Sequence, residues 1–515
     1  MFPAINVSEP PTPIGDAPAP APLLDLRGAA IRLVQGSALY ATANFGIKSL
    51  NFLLVPVYTR YLTPSEYGII NLAESLAAMV AIFAGVGLTG AVRRLYFEYV
   101  DDAGALARYM STNFYFLLVA GSLAFALSCI GLKPALTRWD PGIATPFFRY
   151  LVIAVATAVV SLVAEFRLVG YQLEQKPRAY ALLAVAQFLL MVIASLLLVV
   201  VWRWGALGML LGKCIAATVA GLIAIILLRR WLFAGWSAEY LRKTLSLSLP
   251  IIPHQLMAFG LIAADRFILQ RYRPLSEVGI YTLAYTFGMV MLLVTSSLMQ
   301  AWNPLFFDVA RQGTDNARAI LGRLSSALII FLAAIACFGS LIAEDVTRAI
   351  LSPAYRAVGP VIPWIIGGYF FHGLFGLFHL SILQGKRTSL LLAASGIACA
   401  ANIGLNFWWI PKWGMYGAAY ATFVGYVIEA AIMYVAAQKV HRVPYQQGRI
   451  LLSLAVFFSA LMLTQIPFQH VPHPVIMLGG IVVCGSLFVL VGRRELLQIM
   501  EWLYRGRLGF VGETE

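Results

Sequence analysis

Three polar residues in the first apolar stretch of the chain have the spacing of a ligand-binding face. Asn44, Lys48 and Asn51 are related as i, i+4 and i+7, so a helix would carry all three on one side. A lysine in the middle of an apolar span is costly unless it faces a cavity or a partner. No acid lies three or four positions from Lys48 on the same helix. We therefore predict that Lys48 binds an anionic ligand with the two amides beside it; the alternative is a structural charge that snorkels to the membrane surface or pairs with an acid of another helix.

Further polar residues fall at or near membrane depth in the later apolar stretches. The basic and amide side chains predicted to complete the ligand-binding set are Arg93, Arg94, Gln255, Arg266 and Asn402. The Arg93-Arg94 pair has an alternative role as an anchor at the membrane edge. The acids best placed to bind a coupling proton or sodium ion are Glu74, Asp265 and Glu429. For Asp265 the alternative is a structural ion pair with Arg266.

Two histidines, His372 and His379, are seven residues apart and would share a helical face. We expect them to be hydrogen-bonded core groups rather than metal ligands. The five cysteines are scattered singly in apolar segments, so neither a metal site nor a redox pair is predicted. Walker A, HExxH and GxSxG sequences do not occur, and we expect no catalytic residue and no cofactor.

Composition sets the class of protein that must position these residues. Sixty per cent of the 515 residues are hydrophobic and 12% are charged, with a mean hydropathy of +0.81. A soluble protein carries about 25% charged residues and could not hide this much apolar surface. The chain is therefore predicted to be an all-α polytopic membrane protein, and its net charge of +14 reflects topology rather than nucleic-acid binding.

An internal repeat organises the chain. The segment Arg60–Ala73, RYLTPSEYGIINLA, recurs at Arg271–Ala284 as RYRPLSEVGIYTLA, with eight of fourteen positions identical. We call these two segments the signature. Trp204-Gly205 likewise recurs as Trp413-Gly414. In the first signature Thr63, Pro64, Ser65 and Glu66 are the residues of a capped helix start, and the recurrence indicates two related halves.

The apolar spans predict about 14 transmembrane helices in a 6+6+2 arrangement. The predicted divisions are a disordered cytoplasmic tail (1–28), two six-helix lobes (29–232 and 233–440), two extra helices (441–493) and a cytoplasmic tail (494–515). Six helices per repeat is an even number, so the halves should be related by an axis along the membrane normal. With cytoplasmic termini, the inside loops hold about 24 of the 37 Lys and Arg residues, as the positive-inside rule requires.

The run LVPVYTRYLTPSEYGIINLAESL, followed by GLTGAVRRLYFEY, resembles the N-terminal signature of bacterial polysaccharide-biosynthesis flippases of the Wzx type. These belong to the multidrug/oligosaccharidyl-lipid/polysaccharide exporter superfamily. The resemblance covers roughly residues 30–440. It implies two lobes around a cationic cavity in the bacterial inner membrane and translocation of undecaprenyl-pyrophosphate-linked oligosaccharide by alternating access. It also implies membrane lipid, a polysaccharide polymerase and a chain-length regulator as partners.

Three other functions remain open. A multidrug or cation antiporter of the same superfamily would share the fold, but acids should then dominate its cavity. A membrane polysaccharide polymerase or ligase usually needs a large periplasmic loop, and no predicted loop exceeds about 30 residues. A structural scaffold would not need Lys48 in mid-span or two prolines, Pro250 and Pro253, at the start of the seventh span.

Overall fold

The computed structural model describes residues 39, 42–139, 141–385, 387, 389–466, 474–475 and 477–490. Within these ranges the chain is helical and contains no strand. The first span is helical over residues 42–53 and continues after Leu54 in α1. The helices are α1 (Val55–Tyr61), α2 (Pro64–Gly85), α3 (Leu88–Tyr99), α4 (Ala103–Trp139), α5 (Pro141–Leu173), α6 (Pro177–Leu196), α7 (Gly205–Leu232), α8 (Ala238–Ser248), α9 (Ile251–Tyr272), α10 (Leu275–Ala310), α11 (Asp315–Ile350), α12 (Ile362–Gln384), α13 (Ser389–Trp413), α14 (Met415–Val440), α15 (Gln447–Leu463) and α16 (Met477–Leu490).

Ten helices in the described ranges are long and apolar enough to cross a membrane, or eleven if the bent α8–α9 pair counts as one span. The all-α polytopic membrane fold is thus confirmed, whereas the count of fourteen stays a prediction. The difference lies at the two ends of the chain. Residues 36–38 of the first predicted span lie outside the described residues, and α15 and α16 are shorter apolar helices. The predicted tails, 1–28 and 494–515, lie outside them altogether.

Two of the apolar spans are interrupted for identifiable reasons. Pro56 has no N–H to donate to Phe52, and the first span is irregular at Leu54, one turn before it ends. The second span breaks between α2 and α3, where Val86 and Gly87 both have left-handed backbones with φ of 48° and 63°. A β-branched residue at positive φ is an outlier that the surrounding packing must hold in place.

Each signature glutamate joins the second helix of its half to the sixth. Glu66 Oε1 accepts a hydrogen bond from the Ala206 N–H at the start of α7 (3.3 Å), and Glu277 Oε1 accepts one from the Met415 N–H at the start of α14 (2.6 Å). The repeated Trp-Gly motif makes room for this contact. A Cβ on Gly205 would lie 1.8 Å from Glu66 Oε1, and one on Gly414 would lie 2.0 Å from Glu277 Oε1.

Only the first copy of the signature carries the predicted capping residues. The Thr63 and Glu66 side chains accept from each other's backbone N–H groups, forming a capping box at the start of α2. In the second copy Pro274 occupies the cap position, and it has no side-chain oxygen. The feature common to both copies is therefore the glutamate contact between helices rather than the cap.

The two signatures meet each other where α2 crosses α10. A Cβ on Gly68 would lie 2.1 Å from the Leu275 carbonyl oxygen, and one on Gly279 would lie 1.9 Å from that of Pro64. The helices therefore touch backbone to backbone, which only glycine allows. Beside this crossing the Tyr355 hydroxyl donates to the Leu62 carbonyl at 2.9 Å, so the signature ends of the two halves are packed together.

The short helix α8 connects the halves and packs on the first one. Its Tyr240 ring lies 4.9 Å from Tyr99 and 6.0 Å from Tyr109, and Thr244 donates to the Tyr109 hydroxyl. At the far end of the described chain, α16 packs on α11. The thiols of Cys337 and Cys484 are in hydrogen-bonding contact there, a pairing that the spacing of the cysteines in the sequence did not indicate.

Candidate functional site

The polar face of the first span is accessible. The side chains of Asn44, Lys48 and Asn51 are all exposed, and the Tyr180 hydroxyl of α6 donates to Asn44 Oδ1 at 3.2 Å. On the next turn, Phe52 lies 5.0 Å from Phe287 of α10 in the other half. No ion pair joins Lys48 to an acid within the described ranges. The first span thus lies between the halves and presents an unneutralised ammonium group.

The predicted coupling acid Glu74 forms an ion pair with Lys213 of α7. This contact joins the second and sixth spans of the first half and neutralises both charges. Arg93 and Arg94, on α3 just beyond the break in the second span, are exposed. They therefore add to the accessible positive charge of the first half.

A basic cluster at the ends of α5 and α7 surrounds one carboxylate. Glu174 Oε1 accepts a hydrogen bond from Arg167 (2.7 Å), and the carboxylate forms ion pairs with Lys176 (2.7 Å) and Arg230 (2.6 Å); the side chains of Arg167 and Glu174 are 4% and 6% exposed. The Arg167 guanidinium also lies 3.7 Å from the centre of the Tyr171 ring. Burial alone would raise the pKa of Glu174, but hydrogen bonds from Arg167 and Lys176 and the charges of Arg167 and Arg230 outweigh it and lower the pKa to about 2. This cluster holds three helix ends together.

Asp265 is the centre of a buried polar network in the second half. Its side chain is 1% exposed; Oδ1 accepts from the Arg266 N–H (2.8 Å), and Oδ2 accepts from the hydroxyls of Tyr281 and Thr422. The predicted pair with Arg266 is loose, since the guanidinium lies 3.8 Å from Oδ1. Arg266 instead donates to the Ile262 carbonyl and lies over the ring of Tyr285.

Two asparagines of α13 extend this network. Asn402 donates to Thr422 (3.4 Å), and Asn406 donates to Asn402 Oδ1 (3.0 Å). Both asparagines are completely buried, so Asn402 lies in the interior of the second half rather than on an accessible surface. The side-chain oxygen of Asn406, Oδ1, has no hydrogen-bond partner within the described residues.

Glu429 lies in a separate polar group of the same half. Its Oε1 accepts from Ser395 of α13 at 2.8 Å, and its Oε2 lies 3.2 Å from His372 Nδ1 of α12. His379 Nδ1 lies 2.6 Å from the Gly376 carbonyl oxygen, two turns along the same helix. The prediction that both histidines are hydrogen-bonded is therefore confirmed, and the carboxylate partner of His372 is new information.

Gln255 is half-buried near the start of α9, and the structure does not describe the side chain of the neighbouring His254. Most of the predicted site residues thus fall into three groups: the exposed residues Asn44, Lys48, Asn51, Arg93 and Arg94 of the first half, the network around Asp265, and the pair of Glu429 with His372. Glu74, paired with Lys213, and Gln255 lie outside these groups. The contacts between helices could not be read from spacing, which reports neighbours on one helix alone.

The family assignment rests on the first 310 residues. The polysaccharide biosynthesis protein family matches residues 33–310, which is more than half of the chain. The chain belongs to this family. The resemblance seen in the signature is thereby confirmed, and the chain is a multi-pass membrane protein of a transporter family.

Relatives of this family member extend over nearly its whole length. The chain is 23% identical over 508 residues to the succinoglycan biosynthesis transport protein ExoT of Rhizobium meliloti (strain 1021), with 92% of this chain and 96% of that protein covered. Its fold is similar to that of the lipid II flippase MurJ in an inward closed conformation, with a TM-score of 0.69, 14% identity, and 89% and 100% coverage. An inward-facing multidrug transporter of the MATE family gives a TM-score of 0.60 at 13% identity, with 83% and 99% coverage.

Proposed function

We propose that this family member is a flippase that moves undecaprenyl-pyrophosphate-linked oligosaccharide repeat units across the bacterial inner membrane for polysaccharide biosynthesis. Family membership is the observation that carries this proposal. The relative named as a succinoglycan transport protein and the fold shared with a lipid II flippase support it. In this proposal the protein is a transporter rather than an enzyme, both termini are cytoplasmic, and a polymerase and a chain-length regulator act on its product.

The distribution of charge favours an anionic substrate. Lys48, Arg93 and Arg94 are exposed, whereas the acids Asp265 and Glu429 are at most 2% exposed. A pyrophosphate group is well held by lysine and arginine. The amides of Asn44 and Asn51 beside Lys48 would replace water around sugar hydroxyls in a layer that offers none.

The buried acids of the second half are the proposed coupling groups. Asp265 accepts hydrogen bonds from hydroxyl groups of two other helices, α10 and α14, and Asn402 of α13 donates to one of these hydroxyls; such oxygen-rich surroundings suit a proton or a sodium ion. Glu74 is the weakest of the three predicted coupling residues, because Lys213 already neutralises it.

The proposal is tested in inverted membrane vesicles loaded with radiolabelled lipid-linked oligosaccharide. We expect vesicles containing the protein to move the sugar head group from the outer, cytoplasmic leaflet to the lumen, where an impermeant oxidant cannot reach it. Vesicles from a deletion strain are the control. Equal protection with and without the protein would contradict the proposal.

The fold shared with a multidrug transporter makes drug export the second candidate. The basic accessible set argues against it, since a cationic drug needs acids. Expression in a strain that lacks its drug exporters should leave its sensitivity to cationic dyes unchanged. A several-fold gain in resistance, together with no protection of oligosaccharide, would favour drug export.

A further inference from the structure

Glu429 is the carboxylate of the second half that has an imidazole as partner. Its side chain is 2% exposed, whereas that of His372 is 34% exposed. The imidazole therefore connects a buried carboxylate to an accessible surface. With Nδ1 directed at Glu429, the ring can exchange a proton with the surroundings through Nε2.

Among the residues that the structure describes, no fixed cation neutralises Glu429. Glu74 is paired with a lysine, Asp265 lies beside an arginine, and Glu174 forms ion pairs with three basic groups. Within the described residues, Glu429 forms ion pairs with no lysine or arginine. When His372 is neutral, the pair carries one negative charge in the interior of the protein, and a single bound proton removes it.

The groups around Glu429 and His372 do not take up this proton in place of the pair. Tyr426, on the same helix, lies 5.0 Å from the imidazole ring. The other titratable or charged groups near the pair include His379 of α12, which interacts electrostatically with His372, Cys399 of α13, Tyr369 of α12, Tyr281 and Tyr285 of α10, and Asp265 and Arg266 of α9. Tyrosines and thiols are ordinarily neutral at pH 7, and the charges of Asp265 and Arg266 oppose each other.

We propose that Glu429 and His372 together form a proton-binding site, through which a proton gradient drives the conformational cycle of the transporter. The proton resides on the imidazole or on the carboxylate, so its affinity belongs to the pair. Loading and release switch the interior of α12 and α14 between a neutral and a negative state. This role in driving transport rests on the proposed function, whereas proton binding itself does not.

The chemistry of the pair favours a proton over a metal ion. A hard cation such as sodium prefers a shell of oxygen ligands. Around Glu429 the observed partners are one hydroxyl, that of Ser395, and one imidazole nitrogen. The oxygen-rich network lies instead at Asp265, so the two buried acids of this half differ in the ions that they suit.

The experiment uses dicyclohexylcarbodiimide, an apolar reagent that modifies protonated carboxyl groups in apolar surroundings. The purified full-length protein is treated at a series of pH values, with and without sodium, and modification of Glu429 is quantified by mass spectrometry. We expect modification to fall as the pH rises and to be unaffected by sodium. His372→Gln should move the midpoint upward by about one pH unit or more, because the buried carboxylate then loses its potential cation.

His379→Gln is the matched control, since it removes an imidazole from the same helix whose observed partner is a backbone carbonyl. It should move the midpoint much less than His372→Gln does, because His379 interacts with His372 at a distance and does not contact Glu429. Ser395→Ala provides a second variant that keeps the imidazole, and it should raise the midpoint by a smaller amount. Absence of modification at every pH in both the wild type and His372→Gln, protection by sodium, or equal midpoints for His372→Gln and His379→Gln would each overturn the proposal.

The transport assay distinguishes failure of the coupling role of Glu429 from failure of the proposed function. In the loaded vesicles, Glu429→Gln should abolish the stimulation of transport by an imposed pH gradient. If the wild-type protein moves no oligosaccharide, the proposed function fails while the titration of the pair still stands. Stimulation of Glu429→Gln equal to that of wild type would disprove the coupling role.

Discussion

Lys48 is the residue at which charge and accessibility coincide in the first span. A lysine facing lipid there would cost about 2.5–3.5 kcal/mol. Binding of an anionic ligand would offset this cost. Lys48→Arg should keep substantial flipping, because the positive charge survives. Lys48→Ala should accumulate lipid-linked oligosaccharide on the cytoplasmic side, and Lys48→Glu should be the most defective variant because it repels a pyrophosphate.

Abundance and melting temperature distinguish this role of Lys48 from a structural one. The matched control is Lys439→Ala, which removes an exposed lysine in the last turn of α14 and should not affect export. If Lys48→Ala lowers protein abundance together with export, the lysine is structural. An abundant Lys48→Ala protein with normal export would end the ligand-binding hypothesis.

Glu174 makes the stability of the first half depend on pH in the acid range. Its pKa is about 2 in the folded protein against 4.5 for the free side chain, so the folded state binds its proton less readily than the unfolded state. The stabilisation is complete above pH 4.5 and is lost as the pH falls toward 2. Glu174→Gln should cost about 1–3 kcal/mol at neutral pH and flatten the dependence of melting temperature on pH in that range.

Glu239→Gln is the comparison for Glu174, since Glu239 forms an exposed pair with Lys243 in α8. An exposed pair of this kind contributes little, so the melting temperature should barely change. Equal changes in melting temperature for the two substitutions would show that the buried cluster around Glu174 contributes no more to stability than an exposed ion pair.

The starts of α7 and α14 are held by the same type of contact, between a glycine and a signature glutamate. Gly205 and Gly414 have φ of 55° and 54°, and each lies against a signature glutamate. Gly414→Ala adds a Cβ both at positive φ and at 2.0 Å from Glu277 Oε1, and it should destabilise the protein by about 1–3 kcal/mol. The measurement is thermal unfolding in detergent.

Gly404→Ala is the control for this substitution, because Gly404 lies in α13 with no neighbour within 4 Å of its added Cβ. Alanine is favoured over glycine inside a helix by up to about 1 kcal/mol, so this variant should be neutral or more stable. Equal loss at both positions would contradict the role assigned to the glutamate contact.

These elements also show which contacts a sequence can reveal. The cap formed by Thr63 and Glu66 was predictable, because the residues that form it are neighbours along the chain. The contact from Glu66 to the start of α7 was not, although one signal existed: the glutamate and the Trp-Gly motif both recur, 211 and 209 residues later. Two motifs that recur together are expected to touch in both halves.

Contacts without such a repeat were beyond reach. Lys213 is 139 residues from Glu74, and His372 is 57 residues from Glu429. Helical spacing places each of them on a face but does not tell which face of another helix it meets. For the same reason Asn402 was expected at an accessible surface, whereas packing against α14 buries it.

For the whole molecule the main untested expectation is the topology. With cytoplasmic termini, the segment around Thr63–Tyr67 is predicted to be periplasmic, and Ser65, in the first turn of α2, is exposed. In a cysteine-free background, Ser65→Cys should react with an impermeant thiol reagent in intact cells. Gln312→Cys, between α10 and α11, should react after lysis alone, and the reverse pattern would invert the orientation.

The crossing of α2 and α10 has a mechanical consequence. Gly68 and Gly279 bring two backbones into direct contact, with no side chain between them that could bend or change its charge. Such a contact is either formed or broken, and neither a change of pH nor a change of salt concentration weakens it. In the proposed flippase cycle, the groups that respond to a proton or to substrate must therefore lie elsewhere and act on this crossing through the helices α2 and α10.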